Sequence, residues 1–370
     1  MSVRKQCLIA VFVFSNFFNF SPGTQVLAQP LITNFVGVLA QGETITITGT
    51  GFGIKFPAKP LLWADFEAGD TNPTLLGRHT IWDRVSNLSI TTENQDANST
   101  NSVRGVVNAD GSPNNVNFIL NEIPGITKVY AFVRRNYNHP DWWNVMAGGR
   151  FNYKFFRLWT QPIGNPTVYP NTIFTYAEMS PTIRITTEGV GGCKAGDDQD
   201  WGGEPLAVVP PVQQWLREEY AVLRGNGNGV AKFWSNGILI KDLSGLYTAS
   251  GFCSPDPYTD AWASISIENF WTVVAPPQGA FVYFDDVYID DTWARVMIGN
   301  QPTFVASTHR EIQIPSSWDN SSITITLNKG SFSILSNIYL YVIDENGNVN
   351  ASGFPLCSVC PDPPISLRVE

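Results

Sequence analysis

Charge is scarce in this sequence. Only 15% of its 370 residues are Asp, Glu, Lys or Arg, and the acids outnumber the bases by 32 to 23. The resulting net charge of −9 disfavours nucleic acid and anionic membrane surfaces as partners, because both select basic patches. Histidine is nearly missing. His79, His139 and His309 stand far apart, which leaves no His-rich spacing for a transition metal. No apolar repeat of helical period runs beyond about two turns, so helix bundles and coiled coils are excluded. Past the N-terminus, no apolar run is long enough to span a bilayer.

The N-terminus itself carries an address. Arg4 and Lys5 precede the apolar run Cys7–Phe14, and Ser21-Pro22-Gly23 leads to the small-residue stretch Val26-Leu27-Ala28. That order reads as a secretory signal peptide over residues 1–28. A membrane anchor is the competing reading, but the run is short and Asn16 and Asn19 break its continuation. The mature protein is therefore expected to be secreted or held at the cell surface, with no transmembrane segment. Its net charge becomes −11 when Arg4 and Lys5 leave, because residues 1–28 contain no acid.

Cys7 leaves with the signal, and Cys193, Cys253, Cys357 and Cys360 remain. An even number in an oxidising compartment favours two disulfides. Cys193–Cys253 and Cys357–Cys360 are the preferred pairs, since each lies within one compositional region. A zinc or redox reading of "CSVC" finds no second pair and no nearby His.

About 340 mature residues exceed what one core usually serves, so two domains are expected. Aromatics at 13%, with 31 Gly and 25 Pro, suit an all-β secreted protein with exposed ring surfaces. Strand and turn signals dominate. "ETITITGTGFG" (Glu43–Gly53), "KVYAFVRRNY" (Lys128–Tyr137), "FNYKFFRLW" (Phe151–Trp159) and "TIRITTE" (Thr182–Glu188) all alternate. Glu218–Ile240 reads as three strands joined at "NGNG" (Asn226–Gly229) and "SNG" (Ser235–Gly237), both rich in residues that tolerate φ > 0. "PVQQWLREE" (Pro211–Glu219) is read as a short turn entering a strand.

Here the chain begins to resemble known families. "ITITGTGFG" resembles the opening of an IPT/TIG immunoglobulin-like domain, but the "KPLLWADFEAG" that follows does not continue it. The later strands of such a domain are matched some 240 residues on, by "ARVMIGNQPTFVAS", "SSITITLNKG" and "YLYVIDENGNVNASGFPL". The resemblance implies one small β-sandwich, residues 29–59 with 293–356, split by an inserted domain at 60–292 and followed by a tail at 357–370. Two unrelated β elements flanking a central domain are the alternative. In the split reading, Ile45–Gly53 is expected beside Val296–Asn300.

The inserted segment opens with "WADFEAG" (Trp63–Gly69) and closes with "YFDDVYID" (Tyr283–Asp290). That pairing resembles jelly-roll carbohydrate-binding modules, which hold a structural calcium between their first and last strands. The resemblance implies Glu67 and Asp285 or Asp286 as ligands. Repulsion between carboxylates on adjacent strands agrees, since a hard cation would relieve it. A charged strand edge that discourages aggregation is the plainer explanation. "GDDQDWGG" (Gly196–Gly203) is a second acidic loop without the spaced Glu of a calcium loop. The length of the segment and "GVAKFWSNGILI" are similar to concanavalin-A-like sandwiches, including laminin-G-like lectins and jelly-roll polysaccharide lyases. The expected fold is a jelly-roll sandwich inserted into a small immunoglobulin-like one.

Alternation also sorts the strands into faces. Tyr130, Phe132 and Arg134 lie opposite Val129, Ala131 and Val133; Tyr153, Phe155, Arg157 and Trp159 share one side; Arg184, Thr186 and Glu188 lie opposite Ile183 and Ile185. Side by side, these would form a groove of rings and guanidinium forks suited to sugar C–H faces and oxygens, with Trp142 and Trp143 overhanging it. Rings that merely fill a core are the simpler account of each.

Recognition of a polysaccharide through Tyr130, Arg134, Trp142, Trp143, Tyr153, Arg157, Trp159 and Arg184 is the leading functional expectation. A lyase or hydrolase is the alternative, with His139, Tyr153, Arg157 and Glu188 as candidates for catalysis. The lyase patterns "R-x-E-x-R", "Q-I-H" and "Y-x-K-x-G-x-Y" and the glucanase pattern "E-x-D-x-x-E" are absent, and Glu188 with Glu268 is a pair that no motif supports. A structural adhesion protein is the third reading. Asn87, Asn98, Asn320 and Asn350 occupy formal glycosylation sequons.

Overall fold

The computed structural model describes residues 29–67, 82, 84–86, 88–106, 117–140, 142, 151–159, 171–176, 183–188, 199–201, 210–248, 261–272 and 281–357. Residues 1–28, expected as a signal peptide, and Trp143, Cys193, Cys253 and Cys360 lie outside them, as do the side chains of Tyr153, Arg184 and Glu188. Cys357 is disulfide-bonded. The described strands form four antiparallel sheets, and the fold is all-β.

Alternating side chains explain how the sheets stack. In Lys128–Tyr137, Val129, Ala131 and Val133 enter one core, while Tyr130 and Phe132 enter another. The first core lies between an eight-stranded sheet and a seven-stranded sheet, whose Phe156, Leu158, Ile265 and Ile267 face Val222, Ala231 and Phe233. Together these two sheets make the larger, jelly-roll sandwich. Met297, Ile312, Tyr341 and Ile343 belong to the second core and come from the sheet containing Arg295–Gly299 and Tyr339–Ile343. The opposite face of that sheet offers Val296, Ile298, Leu340 and Val342 to Ile45, Ile47, Ile323 and Ile325 of a fourth sheet. The order is thus seven-stranded, eight-stranded, Arg295-containing and Thr44-containing, and the two middle sheets bury apolar side chains on both faces.

The last two layers make the smaller sandwich, which draws strands from both ends of the chain. Thr44–Thr50 pairs directly with Ser322–Thr326, Ile45 opposite Ile325 and Ile47 opposite Ile323. Arg295–Gly299 lies across the core from Thr44–Thr50 instead of beside it. Leu62–Ala64, just after the first pair of strands, joins Phe281–Asp290 with Ala64 opposite Val287. The segment between the two halves therefore leaves and returns on neighbouring strands.

Turn chemistry is local and legible at one hairpin. Asn236 (φ 47°) and Gly237 (φ 71°) close Asn226–Ser235 onto Ile238–Tyr247, as a two-residue hairpin turn requires. The other joint falls at Arg224-Gly225, one step earlier than the composition suggests, because Asn226–Gly229 already opens the next strand. Asn350 is buried and donates its amide to Leu340 O and Ser352 O, so it is closed to glycosylation in the folded chain.

Candidate functional site

The acidic strand Phe281–Asp290 is built around a bulge. Asp285 pairs with Arg134 and Tyr288 with Phe132, so three steps on one strand match two on the other. The extra residue is Asp286, held at φ 48°. This left-handed step turns Asp285 and Asp286 toward the same guanidinium. Arg134 NH2 lies 2.8 Å from Asp285 Oδ2, and its Nε lies 3.2 Å from Asp286 Oδ2. Asp285 Oδ1 accepts the Asp286 amide (2.8 Å), and Asp286 Oδ2 accepts Asn328 Nδ2 (2.9 Å). Farther along the strand, Asp290 pairs with Lys55 at 2.8 Å and accepts the Tyr288 hydroxyl at 2.7 Å.

The acids are therefore the pairing points between the two sandwiches. Arg217 links Asp96 (2.7 Å) to Glu311 (2.9 Å), and Arg310 meets Glu219 at 2.6 Å. Glu219 also accepts the Tyr130 hydroxyl, over whose ring Arg295 sits at 4.1 Å. Burial pushes the Asp285 carboxyl up, further than Arg134 pulls it down. Asp286 is raised to about 6, again chiefly by burial. Burial alone would also raise Glu311, but Arg217, the His309 hydrogen bond and Arg134 hold it at about 2.

This arrangement corrects several sequence-based expectations. Tyr130 and Arg134 do not line an open groove; they are 0% and 1% exposed, because their face is covered by the smaller sandwich. Trp142 does not overhang a site either. It is fully buried in the larger core, 5.2 Å from the Tyr137 ring. Of the residues expected to hold calcium, Glu67 and Asp285 or Asp286, each already has a partner in the protein. Arg134 already occupies the space between Asp285 and Asp286, and Glu67 spends its carboxylate on the Thr100 amide at 2.9 and 3.1 Å. No three His, Cys, Asp or Glu side chains among the described residues come together as metal ligands.

Arg157 and Trp159 lie on the seven-stranded sheet, on the face opposite Phe156 and Leu158, in register with the buried Ser266 and Ser264. There the Arg157 guanidinium lies 4.7 Å over the Trp159 ring, which is itself 2% exposed. Backbone register sets two rows across this face. One runs Glu188, Asn171, Trp159, Ser264, Glu122, and the next runs Asp200, Thr186, Ile173, Arg157, Ser266, Leu120. Arg184 takes the following row, opposite Thr175. Tyr153 lies beyond a bulge, opposite Tyr176. His139 stands half-buried just past Tyr137, at the end of a strand of the other sheet.

Catalytic pairs fare less well. Glu268 is four residues along from Ser264, and Glu188 is three strands away, which puts their backbones roughly 20 Å apart at ordinary strand dimensions. Glycoside hydrolysis needs carboxyls within about 10 Å. His309 Nε2 approaches both Glu311 Oε1 (2.7 Å) and Ser331 Oγ (3.0 Å). A relay would use both ring nitrogens, and here one nitrogen meets both partners.

Sequence reasoning missed a buried polar cluster inside the larger core. Glu218 accepts both Tyr137 and Tyr220 hydroxyls at 2.6 Å and pairs with Arg135 Nε at 2.9 Å. Arg135 also donates to Ile267 O on the facing sheet. The signal was present in "VRRNY", where two consecutive arginines must point to opposite faces of a strand buried on both.

No protein-family model matches the chain, and no curated protein matches it by sequence. By structure it is similar to an endo-β-1,4-glucuronan lyase from the fungus Trichoderma reesei, at 13% identity and TM-score 0.42, over 58% of this chain and 92% of that one. It is also similar to alginate lyase Aly36B (11%, TM-score 0.39, 63% and 98%). A third is domain 4 of AbnA, a GH43 extracellular arabinanase from Geobacillus stearothermophilus, in complex with arabinotriose (11%, TM-score 0.38, 63% and 92%). Overlaps this loose bear on neither the activity nor the ligand of this chain. The fold alone defines the class: an all-β protein of two stacked sandwiches, the larger of jelly-roll type.

Proposed function

We propose that this is a secreted glycan-binding protein that holds a polysaccharide against the outer face of its seven-stranded sheet. The observation that carries the reading is Arg157 stacked over Trp159 on the one jelly-roll face that no other described sheet covers. Stacking stiffens the guanidinium, and a stiff planar fork is suited to paired hydroxyl or carboxylate oxygens. Backbone register aligns Asn171 and Glu188 with Trp159, and Thr186 and Asp200 with Arg157. Because Trp159 lies beneath Arg157, the guanidinium and not the indole meets the sugar.

Secretion is supported by the basic and apolar opening of the sequence and by the lack, among the described residues, of any helix long and apolar enough to cross a membrane. The smaller sandwich is read as an IPT/TIG-like module, on "ITITGTGFG" and on its use of strands from both chain ends.

A glycan array probed with wild type and Arg157→Ala tests the proposal. Binding should fall at least about tenfold, some 1.4 kcal/mol, with the melting temperature unchanged, and Arg157→Lys should recover only part of it. Equal array signals for wild type and Arg157→Ala would dismiss the face. Release of unsaturated, ultraviolet-absorbing oligosaccharides from uronate polymers would transfer the reading to a lyase.

A further inference from the structure

We propose that the open edge of the smaller sandwich is a docking strand for the chain's own residues 365–369, which add to Leu31–Gly37 as a further antiparallel strand. Leu31–Gly37 ends its four-stranded sheet, so one row of its backbone N–H and C=O groups has no strand beside it among the described residues. Folded proteins protect such rows with prolines, charges or a covering element. The opposite edge of the same sheet, Ile314–Trp318, follows that rule with Pro315 inside it. By contrast, "LITNFVG" holds no proline and no charged residue, and Val36 and the next apolar side chain, Val38, stand 59% and 63% exposed.

The core is open at this edge as well. Phe35 and Phe354 meet edge to face at 6.0 Å across the space between the two sheets of the smaller sandwich, yet both are only half-buried. Phe354 belongs to Phe354–Pro355, the two-residue strand that ends the facing sheet. Both sheets therefore finish on an aromatic pair that water still reaches, whereas Ile47, Ile323 and Leu340, farther inside the same core, are fully buried. A strand with apolar side chains on one face would close the gap and pair the free backbone row in a single step.

The sequence supplies such a strand close by. Cys357, tied by a disulfide, follows Phe354 by three residues, and beyond it "SVCPDPP" leads into "ISLRVE". Pro361, Pro363 and Pro364 disfavour helix there. Ile365, Leu367 and Val369 alternate with Ser366, Arg368 and Glu370, which is the period of a strand buried on one face. Reach is ample. The chain from Cys357 to Ile365 spans up to about 26 Å, while stacked sheets lie about 10 Å apart. Docked in this way, Ile365, Leu367 and Val369 turn onto Phe35 and Phe354. Ser366, Arg368 and Glu370 join the outer face that carries the exposed Thr44 and Thr48. The new edge then bears the charges that "LITNFVG" lacks.

Amide hydrogen exchange on the full chain tests the docking. The amides of Leu31–Gly37 that point away from Thr44–Thr50 should exchange at least about a hundredfold more slowly than unprotected amides. Leu367→Asp should abolish that protection, because it sets a charge against Phe35 and Phe354. Ser366→Asp, which adds the same charge to the outer face, should keep it. The amides between Thr44–Thr50 and Ser322–Thr326 report on the fold itself and should stay protected in both variants. Arg157→Ala should change none of these amides, so the outcome is separate from that of the glycan-binding face. Fast exchange along the outer row in the wild type would overturn the proposal, as would equal effects of the two substitutions. Protection that disappears on dilution, with a light-scattering mass of twice the chain, would also overturn it, since a second copy would then supply the strand.

Discussion

Replacing Arg134 with Met removes one charge and leaves three acids behind. Asp285 is 0% exposed and Asp286 4%, and Asp96 keeps only Arg217 as a cationic partner. Methionine preserves most of the stem's packing, so the change isolates the charge. Breaking a buried ion pair by removing one member typically costs about 3–5 kcal/mol, because the other member stays buried and uncompensated. Here two fully buried partners are stranded, which sets the expectation at the upper end, about 4–5 kcal/mol at pH 7. The sequence's twelve tryptophans make urea unfolding easy to follow by fluorescence. In a background carrying Asp285→Asn and Asp286→Asn, the same Arg134→Met change should cost less than half as much, since the stranded charge is then absent. A loss below about 1 kcal/mol, or one undiminished in the neutral background, would refute the claim that this guanidinium compensates the buried acids around it.

Stability should also have an acidic optimum. Asp286 and Asp290 hold their protons more tightly when folded, each to about 6. Groups raised in this way contribute stability at low pH and lose it as pH climbs through the folded value. Glu311, held at about 2, works in the opposite sense, and its contribution fades as pH falls below about 4.5. Unfolding free energy should therefore peak near the unfolded carboxylate range, about pH 4, and fall as pH climbs toward 6; a monotonic rise to pH 8 would contradict the burial of these acids. Because Arg134 supplies the charge between Asp285 and Asp286, excess EDTA or added calcium should leave the urea midpoint unchanged. A calcium-dependent gain near 2.7 kcal/mol, the value for a hundredfold excess over Kd, would show a bound ion instead. Gly237→Ala should cost about 2–3 kcal/mol by thermal unfolding, since a Cβ there would sit 2.1 Å from Ser307 O at φ 71°. An unchanged midpoint would mean that this hairpin is not seated on the smaller sandwich.

Strand alternation in this sequence determined a great deal on its own. The all-β class, the Asn236-Gly237 hairpin and the sidedness of Lys128–Tyr137 all follow from a period of two and from residues that tolerate positive φ, both local properties. What local pattern could not decide was which face meets water. Tyr130, Phe132 and Arg134 read as a sugar groove because a ring-and-arginine face looks the same whether a ligand or another sheet will cover it. Only tertiary structure supplied the covering sheet, through Met297, Ile312 and Tyr341, more than 150 residues away in the chain. The doubled acids at Asp285 and Asp286 were visible at once, but their partner was not. A carboxylate specifies that positive charge must come near, not whether it arrives as an ion or as Arg134 from the adjacent strand, and the bulge at Asp286 made that choice.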